Sequence, residues 1–280
     1  MSKIVWLASY PKSGNTWLRA FLVNYLLNEP DPQSLEKISN FSYSDMASEP
    51  YEKVLNKDIS AMGWQDFLPH RKDAHRYVVD SHIDSSGGLA TSLPFKTHSN
   101  FNLPNGQIAI TPSLTRSAIY IVRNPLDVVI SYADHYGCSL KQSIETSNSI
   151  GHIISGPRDS VIPQYVGPWS DHVSGWLNAG DLPRLIIRYE DMCRDPHRAF
   201  SDVLQFLKAP DDRERLDHAV RCADFRNLQK QETEEGFQEK SLHNTKFFRT
   251  GGFGGWRKVL SKSQVKKITR THGVMMRKMG

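Results

Sequence analysis

Apolar and polar positions divide this chain into short hydrophobic runs separated by amphipathic stretches. Ile4-Val-Trp-Leu-Ala8 predicts a strand. The run Asn15–Leu27 then places Trp17, Leu18, Phe21, Leu22, Tyr25 and Leu26 on one doubled stripe, the mark of a helix packed on a sheet, and Pro30 and Pro32 end it. Residues 33–75 are mixed and polar, with helical patches at Tyr51–Leu55 and Trp64–Leu68. Tyr77-Val-Val79 predicts a short strand, Leu93–His98 another, and Ala118–Val122 one buried on both faces. A helix follows at once, with Asn124 as cap, Pro125 at the first helical position and Asp127 complementing the dipole.

The second half continues the alternation. Residues 137–168 lack a period and are rich in glycine and proline, so they read as a long irregular stretch, functional or disordered. Trp169–Leu177 predicts a helix and Arg184–Arg188 a buried strand. Pro196–Leu207, Arg213–Cys222 and a basic Ser261–His272 predict three further helices. Asp84–Ala90 reads as a flexible loop, 229–248 as a polar stretch and Thr250–Trp256 as a glycine-rich turn. Strands alternating with helices imply an α/β fold, a central parallel sheet with helices on both faces. No repeat and no linker is visible, so the expectation is a single domain over residues 1–280.

Composition narrows the partners. A chain of 280 residues with 39% hydrophobic and 10% aromatic residues can bury a substantial core. A net charge of +5 suits an anionic ligand, but it is too mild and dispersed for nucleic acid. Three widely spaced cysteines (Cys138, Cys193, Cys222) read as reduced thiols of a cytoplasmic protein. The first strand begins too early for a signal sequence, and no apolar run reaches the length of about 18 residues that a membrane span needs.

The chemistry concentrates first in Ser9-Tyr-Pro-Lys-Ser-Gly-Asn-Thr-Trp17. Strand, small-residue loop and helix in this order set backbone N–H groups and the positive end of a helix dipole against one anion. Lys12 adds a cation, and Ser13 and Thr16 add hydroxyls. The lysine precedes the glycine, so the pattern is not G-x-x-x-x-G-K-[ST]. A second segment, Ile121-Val-Arg-Asn-Pro-Leu-Asp-Val-Val-Ile-Ser131, offers Arg123 at a strand end and Ser131 on the following helix, a charged fork and a hydroxyl suited to phosphate oxygens. A third, Phe247-Phe-Arg-Thr-Gly-Gly-Phe-Gly-Gly-Trp256, is a glycine-rich turn.

In that order the three segments resemble the sulfotransferases that use 3′-phosphoadenosine 5′-phosphosulfate (PAPS). The first resembles their 5′-phosphosulfate loop, the second their 3′-phosphate motif, and the third their C-terminal Arg-Lys-Gly-x-x-Gly-x-Trp. The resemblance runs from Ile4 to Trp256 and implies a P-loop-like nucleotide-binding architecture. It implies that Lys12, Ser13, Gly14, Asn15, Thr16, Trp17, Arg123, Ser131, Tyr189, Phe225, Arg249, Thr250 and Gly251 bind the nucleotide. Thr250 stands where the family has lysine, one cation fewer, and Ala223-Asp224 stand where a Thr-Ser precedes the family's adenine-bordering phenylalanine. Tyr189-Glu-Asp191 matches the family's Tyr-Glu-Asp.

Lys96-Thr-His98 matches the family's Lys-Thr-His, which implies that His98 is the catalytic base. The resemblance also gives catalytic parts to Lys12, which neutralises charge on the oxygen bridging sulfur and phosphorus, to Lys96, which adds positive charge, and to Ser131, which restrains Lys12. Trp169, His172 and Trp176 resemble the family's acceptor-side helix, where helix-face spacing favours a structural role for His172. The activity implied is sulfuryl transfer from PAPS to a small-molecule hydroxyl, less often an amine, releasing adenosine 3′,5′-bisphosphate (PAP). No acidic pair for Mg²⁺ stands beside the loop, so no metal is expected. The rivals are a P-loop nucleotide kinase and a non-catalytic nucleotide-binding protein of the same fold. Acceptor contacts are sought in 137–168, Asp80–Thr91, Gln229–Phe237 and the aromatics Phe41, Tyr43, Trp64, Tyr132 and Tyr136. The family's C-terminal dimerisation segment has no match in Val259–Thr271, so no oligomeric state is implied.

Overall fold

The computed structural model describes residues 3–85, 92–156, 160–241, 243 and 246–280. The chain begins β1 (Lys3–Ser9), α1 (Asn15–Leu27), α2 (Leu35–Asn40), β2 (Tyr43–Ser44), α3 (Glu49–Leu55), α4 (Arg71–Ser85) and β3 (Ser92–Thr97). It continues through β4 (Thr115–Val122), α5 (Pro125–Tyr136), α6 (Leu140–Ser147), β5 (Ile153–Ile154), β6 (Gln164–Tyr165), α7 (Trp169–Leu177) and β7 (Arg184–Arg188). The remaining elements are helices: α8 (Tyr189–Arg194), α9 (Pro196–Leu207), α10 (Arg213–Cys222), α11 (Phe225–Glu235), α12 (Trp256–Val259) and α13 (Lys262–Met279).

The central sheet has the strand order β2-β3-β1-β4-β7. β1 pairs parallel with β3, Lys3 opposite Ser92 through Ala8 opposite Thr97, and β2 pairs parallel with β3. Parallel neighbours need crossovers, which the helices supply. The chain divides into two units of three segments each. The first comprises Met1–Tyr10, Tyr43–Tyr120 and Ser149–Arg184; the second comprises Pro11–Ser42, Ile121–Asn148 and Leu185–Gly280.

In the first unit, Ile4, Trp6 and Leu7 of β1 are almost fully buried, and the Trp6 ring meets Phe95 and His75 edge-on. Along β3, Leu93, Phe95 and Thr97 are buried while Ser92, Pro94 and Lys96 are half-buried. This period of two places Lys96 on the opposite face from Thr97. In the second unit, Phe21 of α1 stacks on Phe200 of α9 with centroids 4.0 Å apart. The α1 stripe is buried at Leu18, Phe21, Leu22 and Tyr25, but Leu26 is 53% exposed, so the stripe ends one residue before the sequence pattern does. Arg19, on the same helix, is buried and paired with Glu239 at 2.8 Å.

Several expectations change. Tyr77-Val-Val79 is helical, inside α4, where Ala74 with Val78 and His75 with Val79 form buried i, i+4 pairs. The 137–168 stretch contains α6, closed by a Ser139–Gln142 capping box, and a small β5–β6 antiparallel pair. The polar 229–248 stretch begins inside α11, whose buried residues are Leu228 and Glu232. β7 has the expected bounds, but only Ile187 is buried, as suits a strand that ends the order. α4 runs through Ser85, and the expected loop at 86–90 lies outside the described residues. Among the described residues no helix is long and apolar enough to cross a membrane.

Candidate nucleotide site and candidate base

The second unit gathers the three phosphate-type segments. Lys12 and Gly14 both have left-handed backbones, φ 67 and φ 105. Such residues turn a chain into the concavities that bind anions through backbone N–H groups. Glycine is required at position 14, because an added Cβ would lie 2.6 Å from the Tyr189 ring. α1 starts directly after it with no side-chain cap, and the Trp17 and Leu18 N–H groups donate to the Gly14 carbonyl at 3.0 and 3.3 Å. Ser13 is 1% exposed, and its buried Oγ has no hydrogen-bond partner among the described residues. A donor hydroxyl placed there fits a phosphate oxygen.

Arg123 joins the segments. Its Nη1 donates to the Lys12 carbonyl at 2.9 Å, its Nη2 donates to the Gly252 carbonyl at 3.3 Å, and its guanidinium lies 4.1 Å from the Tyr189 ring centroid. One cation thus touches the loop, the glycine-rich turn and the start of α8. Burial pushes the Tyr189 hydroxyl up to about 12, against the opposing pull of Arg123. Next to Tyr189, the Asn124 N–H is accepted by Glu190 at 2.9 Å, and the Asn124 side chain caps Leu126.

The glycine-rich turn is anchored from two sides. Asp127 accepts the Gly254 N–H at 2.7 Å and the Trp256 N–H at 3.0 Å, and Glu232 accepts the N–H groups of Phe247 and Phe248. Gly251, at φ 60, has the Phe225 ring 3.0 Å from the place of a Cβ. Arg249 is paired with Asp134 at 3.2 Å, one helical turn after the half-buried Ser131, and Thr250 is exposed. Thr16 and Asn15 are buried, and Thr16 Oγ1 accepts from Arg19 at 3.1 Å. Trp17 packs edge-on against Tyr189 and Phe200. Lys12 Nζ rests 4.1 Å from the centroid of Phe247, a contact that no local sequence signal announced.

His98 lies in the first unit. Its Nδ1 is 2.8 Å from the Ser9 carbonyl, which can only accept, so Nδ1 carries the proton and the neutral ring keeps its lone pair on Nε2. That tautomer is the one a general base needs. The His98 N–H donates to Gln164 Oε1 at 3.1 Å, and its carbonyl accepts from His172 Nε2 at 3.1 Å. His172 therefore has its proton on Nε2, and its Nδ1 accepts from the Tyr120 hydroxyl at 2.9 Å. Trp176 donates to the Ser99 carbonyl at 3.0 Å. The α7 residues His172 and Trp176 thus brace the segment 98–99, the structural part expected of His172. Lys96 is half-buried on β3, its carbonyl accepting from Asp45 N–H at 2.9 Å.

Burial holds His172 down to about 3 and His152 down to about 4, and it likewise holds His272 of the second unit to about 4. Unfolded histidine titrates near 6.5. Below that value the unfolded chain takes up protons that these folded rings refuse, so stability is complete above about pH 6.5 and is lost as pH falls. Each ring contributes up to about 1.4 kcal/mol per pH unit. The urea midpoint should therefore drop steadily from pH 7 to pH 5; a flat midpoint over that range would show that these rings are not held neutral.

The five candidate acceptor aromatics, Phe41, Tyr43, Trp64, Tyr132 and Tyr136, are all half-buried. Trp64 stacks on Tyr165 at 5.2 Å in the first unit, and Tyr132 packs on Tyr136 at 4.3 Å in the second. Among the described residues no group of three or more His, Cys, Asp or Glu side chains could hold a metal ion.

The chain as a whole is similar to known proteins. Residues 2–280 match the family model described as Sulfotransferase domain. Flavonol 3-sulfotransferase of Flaveria bidentis is 22% identical over 288 residues, covering 95% of this chain and 79% of that protein. Cytosolic sulfotransferase 15 of Arabidopsis thaliana is 28% identical, covering 94% of this chain and 69% of that protein. A crystal structure of retinol dehydratase with androsterone and the inactive cofactor PAP superposes with a TM-score of 0.64 at 17% identity, covering 97% of this chain and 80% of that one.

Proposed function

Since the chain belongs to the sulfotransferase domain family and is a PAPS-dependent sulfotransferase, we propose that its acceptor is a small-molecule hydroxyl, with His98 as general base and Lys12 as the cation on the departing oxygen. The observation that carries the donor side is Arg123, which gathers the Lys12 carbonyl, the Gly252 carbonyl and the Tyr189 ring. The unpartnered Ser13 Oγ and the uncapped start of α1 support phosphate binding beside it. The PAP held by the retinol dehydratase structure supports the same nucleotide here.

In the reaction, an acceptor oxygen lone pair forms the new S–O bond as the bond from sulfur to the bridging phosphate oxygen breaks. The acceptor proton passes to His98 Nε2, and PAP leaves with the bonding electrons. Positioning and charge stabilisation supply most of the catalysis, as in phosphoryl transfer. Lys12 meets the charge that develops on the bridging oxygen; Lys96 and Ser131 have supporting parts. Arg123, Arg249, Gly251 and Phe225 hold the 3′-phosphate and adenine side. A nucleotide kinase is not favoured, since Lys12 precedes Gly14 and no P-loop lysine follows it. A cytoplasmic location belongs to this reading, supported by the free state of the three cysteines. A single sulfotransferase domain over residues 1–280 belongs to the same reading.

The test is incubation with PAPS and a library of hydroxyl compounds, read as the sulfate mass increment, beside calorimetry with PAP. PAP binding and transfer to at least one hydroxyl are expected. Absence of both would overturn the reading, and binding without any transfer would favour the non-catalytic alternative.

A further inference from the structure

Next to His98 the first unit buries a carboxylate that the reaction does not use. Asp45 is 4% exposed and receives Arg71 Nη2 at 2.5 Å, His75 Nε2 at 3.0 Å, Thr97 Oγ1 at 2.8 Å, Ser99 Oγ at 3.3 Å and Gln164 Nε2 at 2.8 Å. Burial alone would raise the Asp45 carboxyl, but Arg71, His75 and Thr97 outweigh it and hold the group below the usual carboxylate range. A buried ion pair is weak support for stability, because apolar residues of the same volume often serve as well. What distinguishes this cluster is where it points. Thr97 and Ser99 flank His98 along the chain, and Gln164 reaches it from β6.

The Gln164 amide has one permitted orientation. Its Nε2 donates to Asp45 Oδ2 and, at 3.1 Å, to Thr97 Oγ1, so its Oε1 is the atom that accepts the His98 N–H. Thr97 donates its own hydroxyl to Asp45, which leaves its oxygen to accept from Gln164 and from the Ser99 N–H at 3.0 Å. Reversing the amide would set its carbonyl against the carboxylate and its NH₂ against an N–H donor.

We propose that Gln164, fixed in orientation by the Asp45 carboxylate, is a positioning residue for His98. It sets the backbone at residue 98 so that the ring keeps its Nδ1–H on the Ser9 carbonyl and its Nε2 lone pair for the acceptor proton. Gln164 acts through His98. The inference rests on His98 being the base.

Gln164→Met keeps length and bulk while removing the acceptor and both donors. Its kcat should fall by about tenfold to a hundredfold, the scale of a small displacement at a catalytic group, with PAP affinity and acceptor KM unchanged. Long-range proton–nitrogen spectra of the His98 ring, assigned by their loss in His98→Ala, should show the Nδ1–H form in the natural protein and mixed tautomers in Gln164→Met. Wild-type kcat, an unaltered tautomer, or an equal loss of kcat and PAP affinity would each overturn the proposal. Should Gln164→Met fail to fold, Thr97→Val keeps the β-branched shape and removes the hydroxyl that accepts from Gln164 and donates to Asp45, a second link beside their direct bond. Its kcat should then fall about threefold, as for one neutral hydrogen bond, again without loss of PAP affinity; an unchanged kcat would overturn the proposal. Retained turnover in His98→Ala would instead remove the base, so the two failures are read from different variants.

Discussion

His98→Ala should lower kcat by about 10²–10⁴, the usual contribution of a positioned general base, and leave PAP affinity as it was. The substitution is local for a physical reason. Gln164 accepts from the backbone N–H of residue 98, and His172 donates to its backbone carbonyl, so both survive removal of the ring. The Ser9 carbonyl loses its imidazole donor, and the Ser9 hydroxyl loses its 3.3 Å contact with Nδ1. Rate assays and PAP calorimetry on the same preparation separate the two quantities. Undiminished turnover would take His98 out of the base role.

Lys12→Ala is expected to have the second largest effect, a loss of about 10²–10³ in kcat, the scale of one donor aimed at developing charge, with a smaller loss in PAP binding. Three features make this reading clean. Lys12 already occupies a left-handed backbone at φ 67, and alanine, which also has a Cβ, inherits the same conformational cost. Arg123 bonds the Lys12 carbonyl and not its side chain, so that link persists. The contact of Nζ with the Phe247 ring, between two half-buried residues, is worth about 0.5–2 kcal/mol, less than the predicted loss of about 3–4 kcal/mol. Single-turnover rates with PAPS would measure the effect, and a rate equal to that of the natural protein would sink the assignment.

Much of this was legible from local pattern. The β1–loop–α1 unit carried an apolar run, a small-residue loop and a helical stripe, all set by near neighbours. α7, β7, α9 and α10 had their bounds marked by prolines and by apolar spacing. The failures have physical causes. Tyr77-Val-Val79 has strand-forming side chains, but its burial partners are Ala74 and His75 one turn earlier, and packing overrode propensity. α6 was hidden among glycines and prolines, although the capping box of Ser139 and Gln142 was a local signal that could have found it. α11 looked polar because it buries little beyond Leu228 and Glu232.

The site divides in the same way. Lys12, Gly14, Arg123, Gly251 and His98 sit in motifs a reader can find by spacing. Asp45 and Gln164 are 119 positions apart, and neither stands in a pattern that marks it. Only the folded chain brings a carboxylate, an amide and the backbone of His98 into one line. Phe247 was visible as part of a motif, yet its place beneath the Lys12 ammonium was not.

The division of the chain has a consequence for anyone who would cut it. Each unit is built from three separated segments, and the segments alternate along the sequence. No single break therefore yields either unit as a continuous polypeptide. The nucleotide-side residues from Lys12 to Gly252 can be isolated neither by truncation from one end nor by expression as a fragment. Ribosomal synthesis must also deliver the residues after 185 before the Lys12 loop can meet Tyr189 and Gly252. The donor site is thus a late product of translation, although its signature loop is among the first residues made.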